Sequence, residues 1–231
     1  MGGAPEQAST SPTVRTGGLR WLPAGRPSAV GTAAATREAS RPACPCDASC
    51  VDQWPRWATE QIQVEPPQDA WRSSGERVSR QLDIALARWL VAPVAHVGST
   101  AVPGLAAKPI LDMQAAVLDF ECVEPVARAL RPAGWHLVPA ELDARPYRRF
   151  YVLVVEERRA AHLHLLLANS ARWSEQLAFR DALRADPSLV HRYAELKRTL
   201  ADKHADDREA YTAGKERFVS GVLTGVQTRA G

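Results

Sequence analysis

Three short stretches of this chain carry residues whose types and spacing suit chemistry. In Gly98-Ser99-Thr100 a glycine is followed by two hydroxyl side chains. A turn of this kind offers backbone N–H groups and hydroxyls to an anion such as phosphate, and it equally suits an ordinary tight turn. His96 lies just before it and Lys108 ten residues after Gly98. Lysine is scarce in this chain, and its compact ammonium suits phosphate oxygens. Asp112 stands in the otherwise apolar run Ile110-Leu111-Asp112-Met113-Gln114-Ala115-Ala116-Val117. A carboxylate there must be offset by a cation or by a salt bridge to an arginine. In His162-Leu163-His164 the imidazoles are two apart. They suit metal ligation, phosphate binding or acid–base work, and also two hydrogen-bonded structural histidines. Arg148 and Arg149 could add cationic donors.

The elements that would position these groups follow from periodicity. Trp71, Val78, Leu82, Ala85, Leu86 and Trp89 recur at helical spacing and predict an amphipathic helix of about five turns. Ile62 and Val64 suggest a short strand, and Val94–Val97 a strand running into Gly98. Ile110–Val117 is the next strand; alternation puts Asp112 and Gln114 on one face, Leu111 and Met113 on the other. A helix over Val123–Leu130 and a strand over Trp135–Val138 come next. Arg149–Val155 and Ala161–Leu167 read as a hairpin about Glu156-Glu157-Arg158-Arg159. Helices are expected over Trp173–Arg184, after the Asp186 cap with Pro187, and along Tyr211, Phe218, Val219, Val222 and Leu223. The order argues an α/β (α+β) mixed sheet with flanking helices and a C-terminal helical segment, not a doubly wound parallel sheet.

Composition sets the limits. The chain has 231 residues and a formal net charge of +3. That balance gives no electrostatic footprint for general nucleic-acid binding. No apolar run is long enough to span a membrane, and no secretory signal is visible at the start, so the expected compartment is the cytoplasm. Residues 1–55 are rich in Pro, Gly and Ala and poor in Leu, Ile, Val and Phe, which predicts a disordered tail before a folded domain at 56–225. Cys44, Cys46 and Cys50 in that tail match no standard zinc spacing.

The stretch from His96 to Asp112, His-Val-Gly-Ser-Thr-Ala-Val-Pro-Gly-Leu-Ala-Ala-Lys-Pro-Ile-Leu-Asp, resembles the signature of the GrpB family. The likeness continues through His162-Leu163-His164, Trp173, Phe179-Arg180-Asp181-Ala182-Leu183-Arg184, Tyr193, Leu196-Lys197, Asp207-Arg208-Glu209-Ala210-Tyr211 and Lys215, about residues 60–223 in all. The resemblance implies a nucleotidyltransferase-like fold. Gly98 and Ser99 would then match a turn that holds a nucleoside triphosphate, and Asp112 the first of three catalytic acids. Gln114 stands where the second acid would be, and His162 and His164 occupy the later strand.

One Asp cannot easily hold two Mg²⁺ ions, which need several carboxylates between them. A single divalent cation, a transition metal preferring imidazole, histidine catalysis without metal, or no catalysis remain. Two readings follow. One is a nucleotidyl transfer enzyme with an unknown acceptor. In it His96, Gly98, Ser99, Thr100, Lys108 and Arg149 bind nucleotide phosphates; Asp112, His162 and His164 act, with His162 or His96 as general base toward an acceptor hydroxyl; and Asp112 and His164 hold metal. The other is a non-catalytic folding-accessory or binding domain, because relatives are fused to dephospho-coenzyme A kinase. No G-x-x-x-x-G-K-[ST] kinase loop is present; Gly214-Lys215-Glu216 fails at its last position.

Overall fold

The computed structural model describes residue 57, residues 63–143 and residues 145–230. The expected tail, its three cysteines and Ile62 lie outside the described residues. Beside Val64, Glu65 forms an isolated bridge with Ala107. Helix α1 (Ala70–Leu86) leads into strand β1 (Ala92–Val97), a 3-10 turn at Ser99–Ala101 and strand β2 (Leu111–Val117). Helix α2 (Val123–Leu130), strand β3 (Trp135–Val138) and the short helix α3 (Ala140–Asp143) follow. Strands β4 (Arg148–Val155) and β5 (Arg158–Leu167) form a hairpin, and α4 (Ala171–Ala185), α5 (Pro187–Lys203), α6 (Arg208–Ala213) and α7 (Glu216–Ala230) complete the chain.

Among the described residues five strands lie in the order β1-β2-β5-β4-β3. Only β2 and β5 run parallel; the other neighbours are antiparallel. This is the expected mixed sheet with flanking helices and a C-terminal helical segment. One face is dry. Val78, Leu82 and Leu86 of α1 and Val126 and Leu130 of α2 pack on Met113, Ala115, Leu163, Leu165 and Tyr151. Their helical and two-residue spacings bring each apolar set to one side, so the same alternation sends Asp112, Gln114, His162 and His164 to the opposite face.

Four details differ from the sequence reading. β1 starts at Ala92 and includes Pro93. An edge strand tolerates a residue with no N–H to give, and the register shifts between Ala92 and Ala95. The hairpin turn is Glu156-Glu157 alone, both at positive φ (49° and 59°), so Arg158 and Arg159 already belong to β5. The last helix is two, α6 and α7, broken at Gly214-Lys215. α3, too short for periodicity to reveal, was not expected. Among the described residues no helix is long and apolar enough to cross a membrane.

Candidate functional site

The parallel register of β2 and β5 sets Asp112 beside His162 and Gln114 beside His164. The three separate sequence signals of turn, acid and imidazoles therefore meet on one sheet face. His162 Nδ1 lies 3.0 Å from Asp112 Oδ1, and His164 Nε2 lies 3.6 Å from the same oxygen. One ligating atom from each of these three residues falls within 4.8 Å of the others, so the cluster has the composition of a small cation site. Burial would raise the Asp112 pKa, but hydrogen bonds from His162 and His164 outweigh it and hold the carboxyl well below the usual range. Burial pushes both imidazoles down, His164 to about 4, so each is neutral at pH 7. The Nε2 atom of His162 is buried with no hydrogen-bond partner.

The Gly98 turn closes over the acid. Gly98 has φ +68°, and a Cβ placed there would lie 2.5 Å from Asp112 Oδ2. Close approach to the carboxylate thus requires glycine. Ser99 Oγ accepts from Lys197 Nζ at 2.9 Å, and the same ammonium donates to the carbonyl of Ala106. Thr100 Oγ1 donates to the Ile110 carbonyl at 3.3 Å and takes a hydrogen bond from His96 Nε2 at 2.9 Å. The turn is braced from behind by α4. Arg180 Nη1 donates to the His96 carbonyl at 3.1 Å, and Arg184 grips the Ala101 carbonyl with Nε at 3.0 Å and Nη2 at 2.8 Å.

These residues open onto a cavity of about 1020 Å³ between the polar sheet face and the C-terminal helices. Eight Lys and Arg side chains against four Asp and Glu line it, so it favours an anionic ligand. Lys108, Lys197 and Lys215 are all among them, three of the four lysines in the chain. The ammonium groups of Lys108 and Lys215 sit 4.1 and 4.3 Å from the ring centroid of Tyr211, which holds both in place. Lys197 is only 2% exposed. Burial lowers it to about 7, and burial lowers Lys215 to about 8.

Of the residues singled out from sequence, Gly98, Ser99, Thr100, Lys108, Asp112, His162 and His164 line this cavity. His96 does not. It lines a separate groove beside α1 and α4, against Gly75, and burial lowers it to about 4. Arg149 does not line the cavity either; it lies over the Phe120 ring at 4.2 Å, and Arg148 takes the place facing His164. Consecutive strand residues face opposite ways, so only one of the pair could enter the site. Sequence reasoning missed Lys197, Lys215, Tyr211 and Asp143 as site residues, and named Arg148 only alongside Arg149. The scarcity that marks Lys108 marks the other two lysines equally.

Comparison with known proteins extends this picture. The family model described as GrpB protein matches residues 61–224. A UPF0157 protein of Streptomyces coelicolor is 38% identical over 138 residues, 60% of this chain and 68% of that one. The dephospho-CoA kinase of Mycolicibacterium paratuberculosis is 29% identical over 178 residues, which cover 67% of this chain and 43% of the kinase. Among solved structures, the crystal structure of conserved protein GrpB from Enterococcus faecalis superposes with a TM-score of 0.64 at 28% identity, over 73% of this chain and 99% of that one.

Proposed function

The chain belongs to the GrpB family, and on that premise we propose that it binds a nucleoside triphosphate together with one divalent cation. The observation that carries this reading is the convergence of Lys108, Lys197 and Lys215 on the cavity that also holds the Gly98 turn and Asp112. Point-like ammonium groups and the amides and hydroxyls of a glycine turn suit a polyphosphate. The volume of about 1020 Å³ is at the upper end of ligand cavities, with room for a nucleotide and part of a second molecule.

The cation fits the donor set in number. Asp112 is one carboxylate, and Mg²⁺ is commonly held by one or two carboxylates plus substrate phosphates. Two cations do not fit, because the neutral Gln114 stands where a second carboxylate would be needed; it is fully buried, its amide nitrogen donating to the Trp173 carbonyl at 3.2 Å. The bound cation would neutralise phosphate charge. Lys197 and Ser99 would bind phosphate oxygens, and His162, oriented by Asp112, would take the proton of an acceptor hydroxyl at Nε2.

Calorimetry of the full chain with ATP, GTP, CTP and UTP, each with Mg²⁺, Mn²⁺ or Zn²⁺, tests this. Heat from at least one pairing is expected, with the cation requirement lost in Asp112→Ala. No heat from any pairing overturns the proposal.

A second reading keeps the binding and drops the turnover. Gln114 in place of a second carboxylate favours it, and the likeness to a dephospho-CoA kinase suggests a folding-accessory role. Release of pyrophosphate from a bound triphosphate in the presence of candidate hydroxyl acceptors supports the enzyme. A raised refolding yield of dephospho-CoA kinase, with no such release, supports the accessory domain.

A further inference from the structure

Among the described residues that line the cavity, Asp143, in α3, is a buried acid outside the Asp112 cluster, and it was not expected to matter. Its carboxylate grips Arg148 twice, Nε to Oδ2 at 2.8 Å and Nη2 to Oδ1 at 2.5 Å. The Arg148 and Asp143 side chains are 10% and 6% exposed, so the pair is held in low dielectric and fixed geometry. The remaining guanidinium nitrogen, Nη1, meets His164 Nδ1. The Arg148 side chain also lies over the Phe150 ring, with Cζ 4.2 Å from its centroid.

A guanidinium has only donors and stays charged. His164 Nδ1 must therefore accept. A neutral imidazole carries one hydrogen, and it then sits on Nε2, which faces Asp112 Oδ1. His162 gives the same oxygen a hydrogen from Nδ1. Both imidazoles thus present N–H groups, not lone pairs, to the carboxylate. Oδ2, the other oxygen, lies beside Gly98, and the Asp112 side chain keeps 33% of its surface exposed where it lines the cavity.

We propose that Arg148, pinned by Asp143, fixes His164 as an N–H donor and so makes the cluster select a hard, oxygen-seeking cation carried on phosphate over a transition metal that seeks imidazole. The inference rests on the cation reading above. For His164 to ligate through Nε2, its hydrogen would have to move to Nδ1, where it would point at a buried guanidinium. Arg148 is a positioning residue in this scheme. It acts through His164, and its effect is on which metal is admitted.

Two measurements test it. In the ¹⁵N-histidine-labelled full chain, long-range ¹⁵N–¹H correlations report the tautomer of each of the six histidines. His164 is identified by the resonance lost in His164→Gln. Hydrogen on Nε2 with Nδ1 bare is expected; hydrogen on Nδ1 overturns the proposal. The second measurement is a Zn²⁺ titration followed at the same His164 resonance, which reports this site and not the cysteines at 44, 46 and 50. In the paired variant Asp143→Asn with Arg148→Met, no buried charge is left alone. Zn²⁺ affinity at His164 should rise about tenfold over the unaltered chain, while Mg²⁺ affinity stays within about twofold. Unchanged or weaker Zn²⁺ binding overturns the proposal. Should the variant not fold, the tautomer in the unaltered chain decides alone. Absence of triphosphate binding with the expected tautomer would sink the function proposed above and leave the assignment of His164 standing.

Discussion

At the scale of single residues, the site is decided by close approaches that few side chains allow. Gly98 is the sharpest case. A Cβ there meets Asp112 Oδ2 at 2.5 Å, and the backbone is at φ +68°. Gly98→Ala should therefore lose about 1–3 kcal/mol of stability, measured by chemical denaturation. It should also weaken divalent cation binding, because the carboxylate must move. Lys197 and Lys215 give a second prediction. Burial lowers them to about 7 and about 8. A bound polyphosphate stabilises the charged amines and raises both values, so binding near pH 8 should take up protons. Calorimetry in buffers of different ionisation heat measures this uptake. It should shrink in Lys197→Met, and zero uptake in the unaltered chain would remove both lysines from the phosphate site. The Gly98 turn and Asp112 were legible from type and spacing. Arg148 was legible only as half of a pair with Arg149, because strand phase at the start of β4 was not fixed by the pattern.

Elements position these residues by packing on both sides of the turn. α1 supports it from one side through Gly75, where a Cβ would fall 2.0 Å from His96 Nδ1. An alanine in a helix normally stabilises by up to about 1 kcal/mol over glycine. Here the ring of His96 occupies that space and is itself bonded to Thr100. Gly75→Ala should instead destabilise by about 1–2 kcal/mol, as overpacked sites do. A thermal or denaturant midpoint at or above that of the unaltered chain would show that His96 yields freely. From the other side α4 bonds the carbonyls of His96 and Ala101 through Arg180 and Arg184. The helices α1 and α5 were evident from apolar spacing, since a buried stripe has to recur every three or four residues, and α2 and α4 were expected between their neighbours. α3 and the break between α6 and α7 were not. Four residues carry no period, and Gly214-Lys215 sits inside an otherwise continuous apolar stripe.

For the whole molecule, two apolar clusters flank the cavity. One lies under the sheet with α1 and α2, and the other joins Val102 and Leu105 of the loop to Leu183, Leu189, Tyr193 and Ala194 of α4 and α5. Lys197 is buried beside the second cluster, over the Tyr193 ring, with a consequence for pH. Unfolded, this lysine titrates near 10.4; folded, near 7. Between those values the unfolded chain binds the extra proton. The contribution of Lys197 to stability therefore rises with pH from about 7 to about 10.4, and its penalty is constant and largest below pH 7. The difference in unfolding free energy between the unaltered chain and Lys197→Met should grow in favour of the former across that window, by an amount on the order of a few kcal/mol. Denaturant curves at pH 6.5, 8 and 9.5 measure it. A difference independent of pH would place a charged, well-solvated amine at this position.

The sequence by itself determined the family signature, the mixed α/β class, the strand carrying Asp112 and the strand carrying both histidines. Each of these is local: a motif, a period, or a run of residues whose spacing dictates which way side chains face. Tertiary structure alone decided that β2 and β5 lie side by side in parallel register, and so that acid and imidazoles touch. It alone brought lysines from positions 108, 197 and 215 into one cavity and turned Arg148 onto His164. Contacts between distant segments depend on how helices and sheet close over each other, and no spacing along the chain encodes that closure.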